Sequence, residues 1–223
     1  MVRLRVTFAT DDTIKYVGHL DMMRAWERAL RRGRLPLAYS QGYNPQPRLH
    51  FAAALPVGFT GQAELVDVFL REPLPPEEFV RRLQPALPQG IRLVEVNQVP
   101  MEWPSLQSQV YAGLYRMEVE TDEPAEAFTG RLSAFLAQRE VWRERRHGKR
   151  DGRYNLRPLV WSLEYDGLCE LGQACRATLR LEPGATGRPD ELLSALGFET
   201  SLRRIIRLQL LLRPADLPAG GLS

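Results

Sequence analysis

The first part of the chain shows two different spacings of apolar residues. Leu4 to Phe8 alternates apolar and polar positions, which predicts a strand with one buried face. From Gly18 to Arg32 the apolar positions recur at helical spacing, which predicts an amphipathic helix capped by Gly18 and stopped at Gly33. One side of this helix carries His19, Met22, Met23, Trp26, Ala29 and Leu30, and the other carries Arg24, Arg28 and Arg31.

The same reading gives the order of elements up to residue 98. Strands are predicted at Leu35–Tyr39, Leu49–Leu55, Ala63–Leu70 and Ile91–Val96, and a helix from Pro75 to Leu83. Apart from the short strand Leu35–Tyr39, the order is strand, helix, strand, strand, helix, strand, which is that of the ferredoxin-like βαββαβ arrangement. We therefore predict an N-terminal ferredoxin-like domain over residues 1–98.

A similar order follows a linker at residues 99–108, which holds Pro100, Trp103 and Pro104. Residues 109–213 predict a second α+β domain of the same ferredoxin-like type, and residues 214–223, with Pro218 and two glycines, predict a loose tail. The fold class expected from the sequence is thus α+β, with two tandem ferredoxin-like domains.

Composition agrees with two globular domains in 223 residues, since 44% are hydrophobic and 26% charged. The longest apolar runs are far shorter than a membrane span, and the N-terminus lacks the apolar segment of a secretory signal, so we expect a cytoplasmic protein without a membrane partner. Cys169 and Cys175 fit neither a redox pair nor a four-ligand metal site, and we expect no metal or cofactor bound by this chain.

The positive charges are almost all arginine, because only Lys15 and Lys149 are lysines among 30 basic residues. They gather on the first helix and in a glycine-jointed basic segment interleaved with Trp142 and Tyr154. Such surfaces can follow a nucleic-acid backbone, although a solvated charged face is the alternative. The candidate RNA-binding residues are Arg24, Arg28, Arg31, Arg143, Arg145, Arg146, Lys149, Arg150, Arg153 and Arg157.

A rigid loop at residues 40–47 forms a second candidate site. Gly42 suits a positive φ and Pro45 and Pro47 restrict the backbone, so the loop is either a ligand-binding rim or a packed connector. His19 is the only candidate for acid–base catalysis, with a packed, hydrogen-bonded histidine as the alternative. The loop and pocket candidates are His19, Tyr39, Ser40, Gln41, Tyr43 and Asn44.

The run from Gly18 to Gly58, with Gly18-His19-Leu20-Asp21 and Gly42-Tyr43-Asn44-Pro45, resembles the N-terminal domain of the radical-SAM-linked protein family. Glu64 to Asp67 and Asn155-Leu156-Arg157-Pro158 are similar to later elements of that family. The family usually has Ser, Phe, His and Asp where this chain has Gly18, Tyr43, Gln46 and Asn155. The resemblance implies partnership with a cobalamin-type radical SAM enzyme, which would supply the iron–sulfur cluster because this chain has no CxxxCxxC.

The sequence thus favours an accessory protein that binds or presents RNA for a radical SAM modification enzyme, and a binding role over an enzymatic one. Two alternatives stay open. The first is a metal-independent endoribonuclease resembling the CRISPR repeat-processing enzymes, and the second is a protein–protein adaptor that binds no RNA.

Overall fold

The structure is a computed structural model that describes residues 1–144 and 152–214. The chain has an α/β fold and divides into two compact units. Unit 1 comprises Met1–Val110 and Leu212–Ser223, of which residues 215–223 lie outside the described part, and unit 2 comprises Tyr111–Leu211.

Unit 1 is one sheet with helices. Its elements are β1 (Val2–Thr10), α1 (His19–Arg32), β2 (Leu49–Phe51), β3 (Thr60–Leu70), α2 (Pro76–Leu83), β4 (Ile91–Val99) and α3 (Leu106–Gln109). The strands lie in the order β4-β1-β3-β2, and each of these pairs is antiparallel. Val6 of β1, for example, lies opposite Val66 on one side and Val96 on the other.

The inner face of this sheet packs against α1 and α2. Leu4, Val6 and Phe8 alternate along β1 and form one core with the buried side of α1 and with Phe79 and Leu83 of α2. Trp26 is fully buried, with its ring 4.8 Å from that of Phe8. Burial of each such side chain contributes roughly 1.5–3 kcal/mol to the free energy of unfolding. The apolar face of α1 therefore packs against the apolar face of the sheet.

Several predicted elements of unit 1 are confirmed, with changed bounds. The predicted strand Leu35–Tyr39 forms only isolated bridges, Leu37 to Leu70 and Tyr39 to Pro47, because Pro36 and Pro47 cannot donate to a ladder. The predicted strand Leu49–Leu55 ends at Phe51. Gly33 does cap α1, but the left-handed φ of 50° belongs to Arg34.

Unit 2 has two sheets. Its elements are β5 (Val110–Glu120, which begins on the last residue of unit 1), α4 (Ala125–Ala137), β6 (Trp142–Glu144), β7 (Arg153–Asn155), β8 (Val160–Cys169), β9 (Gly172–Glu182), β10 (Ala185–Thr186), α5 (Pro189–Ala195) and β11 (Arg203–Leu212). The larger sheet runs β11-β5-β9-β8, with β10 paired to the end of β9, and β6 and β7 form a separate two-stranded sheet.

The two cysteines are free thiols. Cys175 lies on β9 within the buried side of the sheet, and burial raises the pKa of its thiol to about 12. It is therefore a neutral packing residue at physiological pH. In the described ranges, no helix combines the length and apolarity needed to span a bilayer.

Candidate nucleic-acid interface and cleft

The outward side of α1 is a row of exposed arginines. Arg24 pairs with Asp21 at 3.2 Å, but both side chains are more than two-thirds exposed. Within the described ranges, Arg28, Arg31 and Arg32 enter no ion pair, and all three are exposed. We call Arg24, Arg28, Arg31 and Arg32 the α1 basic face.

The arginines of α2, unlike those of α1, share a carboxylate on their own helix. Arg81 and Arg82 both donate to the carboxylate of Glu78, at 2.7 and 2.5 Å. Hydrogen bonds from these two guanidinium groups lower the pKa of Glu78 to about 2. Glu78 therefore compensates one of these two positive charges within the helix, whereas Arg28, Arg31 and Arg32 of the α1 basic face have no ion-pair partner among the described residues.

The hairpin of β6 and β7 carries the described part of the second basic cluster. Arg143 lies opposite Tyr154 in its register, and Trp142 lies opposite Asn155. The Trp142 ring is half exposed, and the Arg153 guanidinium lies 5.7 Å from its centroid. Predicted RNA-binding residues Arg145, Arg146, Lys149 and Arg150 lie outside the described residues.

Two other predicted RNA-binding arginines have partners within the protein. Arg143 donates to Glu191 at 3.2 Å and to Ser194 at 2.6 Å, which ties the hairpin to α5. Arg157 donates to the backbone carbonyls of Leu136 and Val160. Because these contacts use their guanidinium donors, both residues serve the architecture of unit 2.

His19 lies at the first turn of α1, with its ring edge-on to Phe51 at 5.6 Å between centroids. It borders a space of about 30 Å³, which is large enough for one or two water molecules. The described lining of that space includes Thr10, Pro56 and Phe59, and none of its residues comes from the loop at 40–47. This cavity therefore does not join His19 to that loop, and their predicted grouping in one cleft stays a prediction.

The loop at residues 40–47 closes on itself. Ser40 accepts a hydrogen bond from the Gln46 backbone N–H at 3.0 Å, and the Ser40 N–H donates to the Gln46 carbonyl at 2.8 Å. Gly42 has the predicted positive φ, 138°. Tyr39 is partly buried beneath the Arg71 guanidinium, while Gln41, Tyr43 and Asn44 are exposed.

A buried charge cluster lies on the outer face of the unit 1 sheet. Asp67 is fully buried and accepts from Arg3 at 2.6 Å and from Arg5 at 2.9 Å. Arg3 also donates to the carbonyls of Trp103 and Pro104, so the linker segment covers this face. The only sequence signal for this cluster is a lone aspartate within the apolar strand β3.

A cleft of about 640 Å³ lies in unit 2. Its walls come from the β6–β7 hairpin, the turn into β10, α5 and the start of β11. The lining residues are Glu144, Tyr154, Asn155, Leu159, Gly184, Ala185, Thr186, Arg188, Asp190, Glu191, Ser194, Glu199 and Arg203.

The sequence carries no local signal for this cleft, although Tyr154 stands out in it as an aromatic neighbour of the basic segment. The hairpin and α5 are separated by more than thirty residues, and the contacts of Arg143 with Glu191 and Ser194 join them. Burial and the nearby Glu191 charge raise the pKa of Tyr154, so its phenol is a neutral donor at physiological pH.

Across residues 1–144 and 152–214, no group of three or more His, Cys, Asp or Glu side chains is placed to hold a metal ion.

Comparison with known proteins identifies a family and a related fold. The profile of a family described as "Uncharacterized protein conserved in bacteria (DUF2344)" matches residues 3–189. No curated protein matches the chain.

Among solved structures, a chain in the "Crystal Structure of a Cbf5-Nop10-Gar1 Complex" is 11% identical, with a TM-score of 0.54 over 93% of this chain and 48% of that one. A chain in the "Crystal structure of the archaeal box H/ACA sRNP Nop10-Cbf5 complex" is 10% identical, with a TM-score of 0.48 over 93% and 47%. The chain therefore spans about half the length of these proteins, and the first likeness concerns the fold alone.

Proposed function

The chain belongs to the bacterial family whose profile matches residues 3–189, and we propose that it is an RNA-binding accessory protein that presents RNA to a cobalamin-type radical SAM modification enzyme. The observation that carries the RNA part is the α1 basic face, whose arginines are exposed and, apart from the exposed Arg24–Asp21 pair, enter no ion pair with described residues. Guanidinium groups in this state are available for charge-assisted, often bidentate contacts with phosphate.

The hairpin of unit 2 supports the same proposal. A half-exposed Trp142 with Arg153 over its ring combines a stacking surface with a positive charge. Aromatic rings and arginines of this kind are the means by which proteins bind single-stranded nucleic acid without reading its sequence.

The fold assignment within the proposal is two ferredoxin-like domains. The strand order β4-β1-β3-β2 in unit 1 and the order β11-β5-β9-β8 in unit 2 support it, since both place the first and third strands of a βαββαβ sequence at the centre. Fold alone does not imply function, so the RNA proposal depends on the arginines.

The radical SAM part is supported by the resemblance of residues 18–58 to the radical-SAM-linked family. It is tested by mixing the protein with a cobalamin-type radical SAM enzyme from the same genome under anaerobic conditions and following both by size-exclusion chromatography. We expect co-elution, and separate elution with and without RNA contradicts this part.

The endoribonuclease alternative depends on His19. Its edge-on packing against Phe51 and the small space beside it favour a structural role. The RNA-cleavage assay of wild type and His19→Ala should show no His19-dependent product.

The RNA part is tested by filter binding of the purified protein to tRNA and total cellular RNA at about 50 and 200 mM salt. If four arginines each neutralise one phosphate of a single strand, this fourfold rise in salt weakens binding about 50-fold. No binding at the lower salt contradicts the proposal, and salt-insensitive binding of a protein partner would favour the adaptor alternative.

A further inference from the structure

Basic side chains surround Phe69 on the outer face of the unit 1 sheet, the face opposite α1. Phe69 of β3 is itself almost fully buried. The guanidinium carbons of Arg48 and Arg3 lie 4.4 and 5.7 Å from the centroid of its ring, and the centroid of the His50 ring lies at 5.0 Å. Arg48 and His50 therefore pack against the same aromatic ring.

The strand pairing explains why these side chains meet. The Phe69 N–H donates to the Arg48 carbonyl at 3.2 Å, so the two residues are neighbours across β3 and the segment that leads into β2. His50 of β2 lies opposite Asp67 of β3. Because alternate residues of a strand point to the same face, Arg48 and His50 project on the side that Asp67 and Phe69 occupy.

The charges of this group do not balance. Arg3 and Arg5 both contact Asp67, so one carboxylate faces two guanidinium groups. Arg48 adds a third positive charge and enters no ion pair with any residue that the structure describes. One of its N–H groups donates to the Met1 sulfur at 3.3 Å, which is a weak acceptor. The group therefore carries an excess of positive charge.

The cover of this face leaves its β2 side open. The linker segment covers the β1 side, where Arg3 donates to two linker carbonyls. The short helix α3 lies near β2 but has no charged residue, and the linker residue Glu102 enters no ion pair within the described ranges. His50 is exposed and Arg48 is partly exposed, so both are accessible to a ligand.

The unbalanced charge acts on the imidazole. Burial lowers the pKa of His50 below its usual value, the positive charges of Arg48 and Arg3 lower it further, and Asp67 raises it. The free ring is therefore neutral at physiological pH. A bound anion supplies the missing negative charge and favours the imidazolium form, which donates from both ring nitrogens.

The two side chains match the chemistry of a phosphate. Packing on Phe69 orients the planar guanidinium of Arg48, whose N–H groups suit phosphate oxygens, and His50 offers a ring N–H beside it. A phosphodiester presents two non-bridging oxygens and one negative charge to such a pair. A carboxylate also has two oxygens, and the experiment below therefore includes an acidic peptide.

We propose that Arg48 and His50 form a phosphate-binding site on the outer face of the unit 1 sheet, which holds one backbone phosphate of the RNA. This inference rests on the proposed RNA-binding function for the source of the phosphate. The α1 basic face lies on the other side of the sheet, so the two surfaces hold different phosphates. A free phosphate ion has the same chemistry, and the experiment distinguishes the two sources.

The first arm follows the His50 ring by NMR as the pH is varied, without ligand, with a single-stranded uridine decamer and with inorganic phosphate. We expect the pKa of His50 to rise when the decamer binds, and this rise to be lost in Arg48→Gln. An unchanged pKa at saturating decamer overturns the proposal and leaves the RNA-binding function. A rise with inorganic phosphate in a protein that does not bind the decamer supports the phosphate site and overturns RNA as its source.

The matched variants are Arg48→Gln and Arg92→Gln, each of which removes one positive charge from unit 1. Arg92 is exposed on β4, at the other edge of the unit 1 sheet from β2. Arg48→Gln should weaken decamer binding about tenfold and reduce the slope of log affinity against log salt by about 0.7, whereas Arg92→Gln should bind like the wild type. Equal affinities of the two variants, with equal melting temperatures, overturn the proposal.

A second variant covers the case in which Arg48→Gln is destabilised by the lost packing on Phe69. His50 is exposed, and His50→Ala should lower decamer affinity by about 2- to 12-fold, as expected for one hydrogen bond. The melting temperature shows whether the variant is folded. A folded His50→Ala with the affinity of the wild type overturns the proposal.

The last arm separates the two surfaces and the two kinds of ligand. Adding Arg48→Gln to Arg28→Ala/Arg31→Ala should weaken decamer binding by the same factor as Arg48→Gln alone, because distant contacts contribute additively. No further loss in the triple variant overturns the proposal. A decamer of glutamate should leave the pKa of His50 unchanged, and a rise equal to that with RNA overturns the proposal in favour of an acidic protein partner.

Discussion

Arginines in two regions of unit 1 have opposite roles. Arg3 and Arg5 on the outer face of the sheet are buried or nearly so and converge on Asp67, while Arg28 and Arg31 on α1 are exposed and, within the described residues, enter no ion pair. The residue type is the same in both regions. The comparison teaches that the position of a carboxylate, and not the count of arginines, decides whether a basic residue holds the fold or faces a ligand.

The difference follows from solvation. Removing a guanidinium from water costs several kcal/mol unless a carboxylate and further acceptors replace the water, as Asp67 and the Trp103 and Pro104 carbonyls do for Arg3. On α1 the guanidinium groups remain hydrated, so they carry no desolvation cost. Their charge is available to attract phosphate.

The largest expected effect comes from breaking the buried cluster. Asp67→Asn removes the charge that compensates Arg3 and Arg5, and we expect the free energy of unfolding to fall by about 3–5 kcal/mol. Urea denaturation followed by fluorescence measures it. The matched control is Asp21→Asn, whose exposed pair with Arg24 should contribute less than about 1 kcal/mol. Similar losses in both variants would remove the distinction between the two regions.

The second effect concerns RNA affinity. Arg28→Glu/Arg31→Glu should weaken binding about 100-fold at low salt, because each lost charge-assisted contact contributes about 1.5 kcal/mol or more. The slope of log affinity against log salt should shrink by about 1.4. Filter binding gives both quantities.

The control for this charge reversal is Arg81→Glu/Arg82→Glu on α2, where Glu78 already compensates one of the two positive charges. We expect a small effect on RNA affinity there. Equal losses for the two double variants would mean that net charge, and not the α1 basic face, determines binding.

A third, smaller effect is expected on the hairpin of unit 2. Trp142→Ala removes a half-exposed ring that can stack one base, and RNA affinity should fall about tenfold. Trp161→Ala is the control, because Trp161 is also about half exposed but stacks on Tyr111. If only Trp161→Ala lowered RNA affinity, the stacking surface would lie elsewhere in unit 2.

The smallest effect is a pH dependence in α2. The pKa of Glu78 falls from 4.5 to about 2, so its stabilising contribution is present above about pH 4.5 and is lost as the pH falls towards 2. The melting temperature of Glu78→Gln should therefore approach that of the wild type over this range. NMR titration of the Glu78 carboxyl carbon measures the pKa directly, and a midpoint near 4.5 contradicts the prediction.

Much of the fold could be predicted from local pattern. The helix predicted from Gly18 to Arg32 is confirmed as His19–Arg32 with Trp26, Ala29 and Leu30 buried, because a helical period fixes which side chains share a face. The predicted strand Leu35–Tyr39 fails because Pro36 and Pro47 cannot donate to a ladder, which leaves only isolated bridges. For the candidate site the sequence indicates charge but not contacts: Arg143 and Arg157 belong to the predicted basic cluster, and the fold brings both against other parts of unit 2.

By itself the sequence determined most of the order of helices and strands, the amphipathic α1 with its arginines, and the positive φ at Gly42, since each depends on neighbouring residues. Only the tertiary structure decided that Asp67 neutralises Arg3 and Arg5, that His19 packs on Phe51, and that the hairpin and α5 enclose a cleft. The physical reason is that these contacts join residues far apart in the chain. Whether a charge is compensated or a cavity is formed depends on which side chains the sheet and helices bring together.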